Sequence, residues 1–511
     1  MEDIRTAAGL VHPGCFMGTL DLQDAYYLVP VHVSSRKYLR FKFLGRVYQF
    51  TCLPFGLNLS PFIFTKLLKP VASTLRSRGF KSVIYLDDFL CIGGDYESCE
   101  KNIIETCKML ESLGFLINER KSCWTPALRC KFLGMIIDSV QYTLELPLNK
   151  KESLIDLLKR RLTEKRCTIK ECAELIGKLI AACPAVEYGF LYTKRIEREK
   201  ILALAKHSGD YNKGMSLSVS ARRDLRWWLN SLPDARNSFK SAEYTAVIYS
   251  DASGTGWGAT DGLVEAHGHW NSFQKVLHIN YRELLAVKLA LETLASSLYN
   301  CQILLRVDNT TAIAYINRMG GVRYSLYNKL AREIWQWAEK RRIFLFASYI
   351  PSIENTQADR LSRLNDDIEW ELNPEIFGII KEQLGCPEVD LFANGENRKC
   401  EKFISWRPDP EAIQIDAFTV SWSKLKFYAF PPFSLILKTL VKVKRDKATG
   451  IMVVPRWLGQ PWYPLFRELL LKEPLIFEPD NNLLMSPCRT KIHPQVDHLY
   501  LMAGLISGKR F

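Results

Sequence analysis

The chain has 511 residues, more than one core of ordinary size accommodates, so we expect two to four domains. Its hydrophobic fraction of 47% is that of a globular protein, and its net charge of +14 favours a polyanionic partner only slightly over plain solubility. The fourteen cysteines include no CxxC pair, which argues against a disulfide scaffold and a zinc knuckle. The sequence has no signal peptide and no membrane-spanning apolar run, which argues against a secreted protein and a membrane partner. We therefore expect an intracellular protein of the cytoplasm or nucleus.

Residues 1–145 alternate short β-rich runs with helical stretches, which predicts an α+β domain. One run, 16–22, delivers Asp21 at its end, and Asp87 and Asp88 lie between two apolar runs, where a hairpin turn would present both carboxylates. Adjacent aspartates are also common in ordinary turns. If the strands lie side by side, however, their carboxylates repel one another unless a cation binds between them. Phosphoryl transfer uses two divalent ions held in this way, so Asp21 and Asp87 are candidate metal ligands.

Residues 146–240 are predicted to be helical and are rich in lysine and arginine. Thr168 and Glu171 have the spacing of an N-terminal capping box, and the helix that follows should end near Pro184. Its predicted apolar stripe is Leu175, Ile176, Leu179 and Ile180. Basic residues crowd the start of the segment, at Lys150, Lys151, Lys159, Arg160, Arg161, Lys165 and Arg166. They suit a nucleic-acid backbone, although a solvated helix face explains any single lysine equally well.

Strands and helices alternate again in residues 245–365, where four acids have a common chemistry. Asp251 and Asp308 end β-rich runs. Glu283 lies on the apolar face of a predicted helix, where a carboxylate is costly unless it is paired or bound to a metal. With Asp359 in a later helical stretch, these oxygens would form a cage for two magnesium or manganese ions. Four unrelated solvated acids are the alternative.

Residues 15–134 resemble the reverse transcriptase family, whose motifs they contain in the same order: DLQDAYYLVP, LPFGLNLSPFIF, YLDD, LGFLINERKS and FLG. The resemblance implies a ferredoxin-like palm, followed by a helical thumb in the basic segment. It also implies that Asp21 and Asp87 bind two Mg²⁺ or Mn²⁺ ions, and that Asp88 completes the catalytic cluster.

The same resemblance implies four nucleotide-binding residues. Tyr26 would be the steric gate whose ring meets the 2′ position of the sugar, with an ordinary core aromatic as the alternative. Phe55 and Gly56 would lie against the incoming nucleotide and the template, although their segment also suits a plain strand-to-helix turn. Lys121 corresponds to a motif lysine near the nucleotide phosphates, with a solvent-facing lysine as the alternative.

Residues 245–364 resemble ribonuclease H in the order Asp, Glu, Asp, Asp and in the contexts SDASGTGWGA, YRELLAVKLAL, VDNTTA and ENTQADRLSR. The resemblance implies an α/β domain with two metal ions held by its catalytic acids, namely Asp251, Glu283, Asp308 and Asp359. The histidine that usually precedes the last motif is absent, with Tyr349 in its approximate place. We expect slower product release from this change rather than loss of cleavage.

Proline and tryptophan are more frequent in residues 370–511, where 388–464 predicts an irregular α/β unit. The segments EVDLFAN, SWRPDPEAIQIDAF, YAFPPF and VVPRWLGQPWYP, with the DNxxA and ADRLSR motifs, resemble polyproteins of DIRS-type (tyrosine-recombinase) retrotransposons, whose tail is similar to adenine-N6 methyltransferases. Such enzymes use Asp or Asn before Pro-Pro-aromatic to accept the target amine. Phe430 stands in that position and no glycine-rich loop for the methyl donor is seen, which predicts an inactive methyltransferase-like remnant.

These features predict an α+β multidomain protein with a palm and partial fingers in 1–145, a thumb or connection in 146–240, a ribonuclease H-like domain in 245–365 and the remnant in 370–511. Its expected substrates are an RNA template, a DNA primer, an RNA:DNA hybrid and deoxynucleoside triphosphates, and other retroelement proteins are further expected partners. Only twenty residues precede Asp21, where the family carries most of its fingers, so we expect an N-terminally truncated chain. The alternatives are a remnant with ribonuclease H activity only, or a non-catalytic nucleic-acid-binding protein.

Overall fold

The computed structural model of the chain describes residues 2–240, 243–363, 370–395, 397–406, 408–485, 493 and 497–509. The chain forms two compact units, Met1–Ala242 and Glu243–Phe511. Across these described ranges, no helix is both long and apolar enough to span a membrane.

The first unit is a mixed α/β structure. Its described strands are β1 (Phe16–Gln23), β2 (Arg40–Phe43), β3 (Arg46–Gln49), β4 (Lys81–Tyr85), β5 (Asp88–Gly93), β6 (Leu116–Ile117), β7 (Cys123–Ala127), β8 (Arg129–Phe132), β9 (Met135–Asp138), β10 (Thr143–Glu145), β11 (Cys167–Thr168), β12 (Gly214–Met215) and β13 (Arg236–Ser238). Its described helices are α1 (Ile4–Leu10), α2 (Val33–Arg36), α3 (Ser60–Ser77), α4 (Tyr96–Ser112), α5 (Leu148–Thr163), α6 (Ile169–Ala182), α7 (Lys194–Lys206) and α8 (Val219–Ser231).

An antiparallel sheet in the order β4-β5-β1-β6, with β7 also paired to β1, forms the centre of this unit. Helices α3 and α4 pack on it and bury Phe64 and Ile103 in the same apolar cluster as Leu20 of β1. Helix α4 begins where it does because Asp95 and Ser98 form a capping box. Burial of the apolar side chains, which contributes about 25 cal/mol per Å² of apolar surface, fixes β1 and β5 where their acidic ends meet.

In residues 146–240 the structure has four α-helices, α5 to α8, and three short strands, β11, β12 and β13. The capping box is present, since the Thr168 hydroxyl accepts a hydrogen bond from Glu171 N at 3.2 Å and Glu171 Oε2 accepts one from Thr168 N at 2.8 Å. The predicted apolar stripe of α6 holds for its first three members, but Ile180 is 38% exposed.

The basic surface predicted on these helices is smaller than expected. Arg161 is buried and forms ion pairs with Glu164 and Glu171. Lys150 and Lys151 donate hydrogen bonds to backbone carbonyls of neighbouring segments. Arg161 is a structural cation, because a buried guanidinium is tolerated only with paired acids. The exposed members of the predicted set are Lys150, Lys159, Arg160, Lys165 and Arg166.

The second unit also combines sheets and helices. Its described strands are β14 (Ala246–Ala252), β15 (Gly256–Thr260), β16 (Glu265–His269), β17 (Gln302–Val307), β18 (Phe344–Tyr349), β19 (Glu371–Leu372), β20 (Val389–Asp390), β21 (Lys402–Ser405), β22 (Gln414–Ile415), β23 (Lys426–Ala429), β24 (Thr449–Pro455), β25 (Leu475–Phe477), β26 (Leu484–Met485) and β27 (Leu501–Ser507). Its described helices are α9 (Ser272–Lys275), α10 (Ile279–Leu294), α11 (Thr310–Asn317), α12 (Ser325–Lys340), α13 (Thr356–Ser362), α14 (Pro374–Leu384), α15 (Ile436–Asp446) and α16 (Tyr463–Leu469).

A five-stranded mixed sheet in the order β16-β15-β14-β17-β18 opens the second unit. Strands β14, β17 and β18 are parallel, so the ends of β14 and β17 that carry Asp251 and Asp308 lie at the same edge. Helix α13 lies directly on β15 because Gly258 has no side chain. A Cβ atom at Gly258 would lie 2.4 Å from the carbonyl oxygen of Ala358. This close approach sets the position of α13 beside the acidic edge.

The expectation of an irregular unit in residues 388–464 is wrong. The described strands form a regular seven-stranded sheet in the order β22-β21-β20-β23-β24-β27-β25, which continues to Ser507. Strands β20 to β24 are parallel, whereas β27 is antiparallel to β24 and β25. The aromatic residues Trp422, Phe427 and Phe466 are fully buried in its core. The sequence pattern conceals this sheet because β20 and β22 have only two residues each.

Candidate active sites

Three carboxylates of the first unit come together where β1 meets the turn between β4 and β5. Asp21 of β1 pairs directly with Asp88, the first residue of β5. Asp87 precedes it in the turn, where Leu86 has a φ of 54° and the carbonyl of Asp87 accepts a hydrogen bond from Leu22 N at 2.9 Å. The hairpin thus places acids from two chain segments side by side.

Burial and like charge act together on Asp88. Burial raises the pKa of this carboxyl to about 6, with further contributions from Asp87 and Asp21, and Lys121 opposes the shift. The Nζ of Lys121 lies 3.6 Å from Asp21 Oδ1, and its side chain is 68% exposed. This ion pair is weak because water screens it. Lys121 therefore lies at the solvent side of the cluster.

An aromatic group borders these acids. The Tyr26 ring is buried, with its centroid 5.0 Å from that of Phe55 and 5.3 Å from that of Phe64. Burial, and then the charge of Asp87, raise the pKa of the Tyr26 hydroxyl. Phe55 is exposed and precedes Gly56, whose φ of 88° favours glycine. Tyr26 therefore packs in the core on one side and is close to an acid on the other.

Asp251, Glu283 and Asp308 form a tighter cluster in the second unit. One oxygen of each lies within 4.8 Å of the other two. Among the described residues, no other three His, Cys, Asp or Glu side chains meet so closely. Strands β14 and β17 supply the two aspartates, and α10 supplies Glu283 above its buried neighbours Val287 and Leu291. The helical spacing predicts this inward position of Glu283 correctly.

The cluster has the properties of a cation site. Asp251 and Glu283 are each 5% exposed, and their Oδ2 and Oε2 atoms are buried without a hydrogen-bond partner. Burial, followed by the charges of Asp251 and Asp308, raises the pKa of Glu283 to about 9, and burial also raises the pKa of Asp251. Unpartnered buried carboxylate oxygens are costly, and they are hard ligands of the kind that Mg²⁺ and Mn²⁺ prefer. The residues present therefore fit a divalent ion.

Asp359, the fourth predicted ligand, lies outside this close set of three. Its Oδ1 accepts hydrogen bonds from Nη2 and Nε of Arg363, at 2.7 and 2.9 Å. The arginine lies four residues later, so the pair joins successive turns of α13. Sequence reasoning missed Arg363, although the spacing of four in ADRLSR was the available signal.

A second unpredicted contact involves the loop between β18 and α13. The hydroxyl of Ser352 donates a hydrogen bond to Asp308 Oδ2 at 2.6 Å. Tyr349, at the position of the missing histidine, ends β18 and is 54% exposed. No sequence pattern distinguishes Ser352 from an ordinary loop serine, because its role depends on how the loop folds back.

In the C-terminal sheet, Phe430 follows β23 and packs near Phe433, with ring centroids 6.3 Å apart. On the neighbouring strand, Asp390 is buried and accepts backbone hydrogen bonds from Phe392 and Lys399. Burial raises the pKa of Asp390 to about 6. The polar group at this edge is therefore Asp390, while position 430 offers only an aromatic ring.

Comparison with known proteins identifies the first unit. Residues 5–137 match the family described as reverse transcriptase (RNA-dependent DNA polymerase). These residues belong to the reverse transcriptase family. They include both acidic segments and the Tyr26, Phe55 and Lys121 positions. Among relatives of this reverse transcriptase domain, the retrovirus-related Pol polyprotein from transposon opus of Drosophila melanogaster is 27% identical over 138 residues, 27% of this chain and 13% of the relative. Residues 5–137 are therefore similar to the reverse transcriptase domains of retroelement polyproteins.

Two further groups of relatives are similar to parts of this chain. The enzymatic polyprotein of Figwort mosaic virus (strain DxS) is 22% identical over 387 residues, which are 71% of this chain and 52% of the relative. Protein P of duck hepatitis B virus (strain China) is 31% identical over 121 residues, which are 24% of this chain and 15% of the relative. The chain spans about half the length of the first relative. A foamy viral protease-reverse transcriptase, solved in complex with dsDNA, gives a TM-score of 0.37 at 17% identity over 66% of this chain and 68% of that one.

Proposed function

We propose that the chain is the polymerase and ribonuclease H part of a DIRS-type retrotransposon polyprotein. It synthesises DNA on an RNA template from a DNA primer and deoxynucleoside triphosphates, and it cleaves the RNA strand of the resulting hybrid. The observation that carries the proposal is that each unit holds its own carboxylate cluster at a strand edge. In this assignment residues 1–145 are the palm, 146–240 the thumb, 245–365 the ribonuclease H domain and 370–511 a methyltransferase-like region.

The acids of both clusters are assigned to metal binding. Divalent ions, when bound, polarise the phosphoryl group and orient the attacking and leaving oxygens. Asp251, Glu283 and Asp308 would hold an ion in the second unit, and Asp359 borders it. In the first unit Asp21 and Asp87 would hold the ions, while Asp88 adds negative charge beside them.

The remaining residues of the first site act on the nucleotide. The Tyr26 ring, held by Phe55 and Phe64, excludes a 2′-hydroxyl by volume. Lys121 reaches solvent beside Asp21 and would contact the anionic phosphates of a bound triphosphate. Gly56, with its positive φ, lets the backbone approach the base pair closely.

A second candidate function is hybrid cleavage without polymerisation. It is favoured by one observation, the closer convergence of the acids in the second unit, where two buried oxygens have no partner in the described structure. The two candidates differ in whether purified protein extends a primer.

The test is a pair of assays on the full chain with Mg²⁺: cleavage of an RNA:DNA hybrid and extension of a DNA primer on RNA. The Asp251→Asn variant should lose cleavage by on the order of 10³-fold or more, since a metal ligand is lost at the reacting centre. The matched control is Asp261→Asn, a partly exposed residue of the same unit whose Oδ1 accepts hydrogen bonds within a turn. Undiminished cleavage by Asp251→Asn, in protein free of host nuclease, would rule out the second site.

A further inference from the structure

Arg363 holds Asp359 at the border of the acidic cluster in the second unit. Two of its guanidinium nitrogens donate to one oxygen of the Asp359 carboxylate, at 2.7 and 2.9 Å. The side chains of Arg363 and Asp359 are 64% and 37% exposed, so solvent and ligands reach the pair. An exposed ion pair of this kind contributes little to folding, so its members can exchange partners.

The charge of Arg363 extends to the cluster itself. Arg363 lowers the pKa of Asp251, against the larger effect of burial, whereas the charge of Asp359 raises it. Conversely, both acids raise the pKa of the Arg363 guanidinium, and the effect of Asp359 is larger than that of Asp251. Both members of the hydrogen-bonded pair therefore act electrostatically on Asp251.

The net charge of the site shows why the charge of Arg363 opposes binding of a second ion. Two divalent ions neutralise four ionised carboxylates, and Arg363 then leaves one positive charge in excess. A phosphodiester supplies one negative charge, so the complete site with two ions is neutral only when nucleic acid is bound. Asp251, Glu283 and Asp308 without Asp359 keep enough negative charge for one ion.

We propose that Arg363 is a positioning residue that occupies Asp359 in the free protein and passes to a backbone phosphate when nucleic acid binds. This inference rests on the proposed ribonuclease H site. Asp251, Glu283 and Asp308 bind the first ion without nucleic acid. Release of Asp359 by Arg363 then completes the position of the second ion. Binding of the second ion and binding of a phosphodiester are therefore coupled through one side chain.

The test is calorimetric titration of the full chain with Mn²⁺, with and without a short DNA duplex, which supplies phosphodiesters. Ions bound elsewhere are subtracted with the isotherm of Asp251→Asn. In the parent protein the duplex should tighten binding of the second ion by on the order of tenfold. In Arg363→Gln the second ion should bind that tightly without the duplex, and the duplex should add little.

Two further variants sharpen the comparison. Arg360→Gln removes an exposed arginine of the same helix that is paired instead with Glu265, at 2.7 Å, and it should behave like the parent. Arg363→Lys keeps the charge and should preserve the dependence on duplex. Equal binding of the second ion by the parent and Arg363→Gln in the absence of duplex would overturn the proposal. Identical isotherms for the parent and Asp251→Asn would instead refute the metal site on which the proposed function rests.

Discussion

Glu283 places a carboxylate on the apolar face of α10. Without a bound cation, a negative charge at this position does not stabilise the protein. Its pKa is raised to about 9, first by burial and then by Asp251 and Asp308. A buried acid with this shift binds its proton more tightly in the folded than in the unfolded state. Stability should therefore be greatest below the unfolded pKa of about 4.5 and should fall as pH rises towards 9.

Replacing Glu283 by Gln should remove this pH dependence. In a chelating buffer, the thermal midpoint of the second unit should decline less between pH 5 and 9 in Glu283→Gln than in the parent. Hybrid cleavage should be lost at the same time, because the same oxygen is needed for the ion. Glu382→Gln, at an exposed position of helix α14, is the control. Parallel pH profiles for the parent and Glu283→Gln would contradict the assigned burial cost.

In the proposed function, sugar selection in the first unit depends on the volume of Tyr26. The ring packs against Phe55 and Phe64, which oppose its displacement by a 2′-hydroxyl. Tyr26→Ala should incorporate ribonucleotides more readily than the parent, by roughly tenfold to a hundredfold, the cost of a small steric misfit in a pocket. Tyr27→Ala removes a neighbouring, exposed ring and should leave selection unchanged. The measurement is the ratio of incorporation rates for matched deoxy- and ribonucleotides. Equal ratios in the parent and Tyr26→Ala would mean that Tyr26 is only a core aromatic.

At the level of elements, the position of α13 depends on the missing side chain of Gly258. Gly258→Ala would bring a methyl group against the Ala358 carbonyl, at 2.4 Å, and would push α13 with Asp359 away from the cluster. We expect a loss of about 1–3 kcal/mol in the free energy of unfolding, as for other overpacked sites, and weaker hybrid cleavage. Gly254→Ala, where a new methyl meets nothing within 4 Å, is the matched control. Equal stability of the two variants in denaturant titration would mean that α13 adjusts freely.

In the proposed function, residues 370–511 do not transfer a methyl group to DNA. A ring at position 430 cannot accept a hydrogen bond from an adenine amine, and loss of such a contact at a reacting centre costs on the order of 10²-fold or more. We expect no label in adenine-containing DNA when the full chain is incubated with a labelled methyl donor. Phe430→Asn should fail as well if the donor site is absent. Label with the parent protein would overturn this assignment, and label with the variant alone would show that the donor site survives.

Local signals predict several elements well. The inward face of α10 and the capping box at Thr168 depend on residues a few positions apart, so a single sequence contains them. The side-by-side placement of Asp21 and Asp88 needed one further assumption, that two apolar runs pair. Family motifs supplied that assumption.

Other features depend on contacts between distant segments and are absent from any local pattern. The sequence predicts that Arg161 is a surface cation. In the structure it is buried and forms an ion pair with Glu171 of the next helix. Ser352 meets Asp308 only because its loop folds over the strand edge. The two-residue strand β20 is defined by its parallel neighbours and not by its own residues. These are cases in which tertiary context overrides local preference.

For the whole molecule, the excess positive charge of +14 is unevenly distributed. No acidic residue occurs between Asp24 and Asp87, a span that contains ten lysines and arginines. A protein that contacts phosphates through such a span releases counterions, so binding of nucleic acid should weaken steeply as salt rises. The first acidic cluster adjoins this span and the second lies in a different unit. Salt should therefore affect primer binding more than the chemistry at Asp251.

The two clusters should fail independently, because each is closed within its own unit. Asp87→Asn should abolish primer extension and leave hybrid cleavage within about twofold of the parent, whereas Asp251→Asn should do the reverse. The effects of substitutions at sites without shared partners add to within about 0.3–0.5 kcal/mol, which corresponds to this factor of two. Both assays use the same preparation of full chain, so a folding defect would lower both activities together. Cleavage with no extension by the parent protein would select the ribonuclease-only candidate. Loss of both activities in Asp87→Asn, with an unchanged melting profile, would show instead that the clusters act as one site.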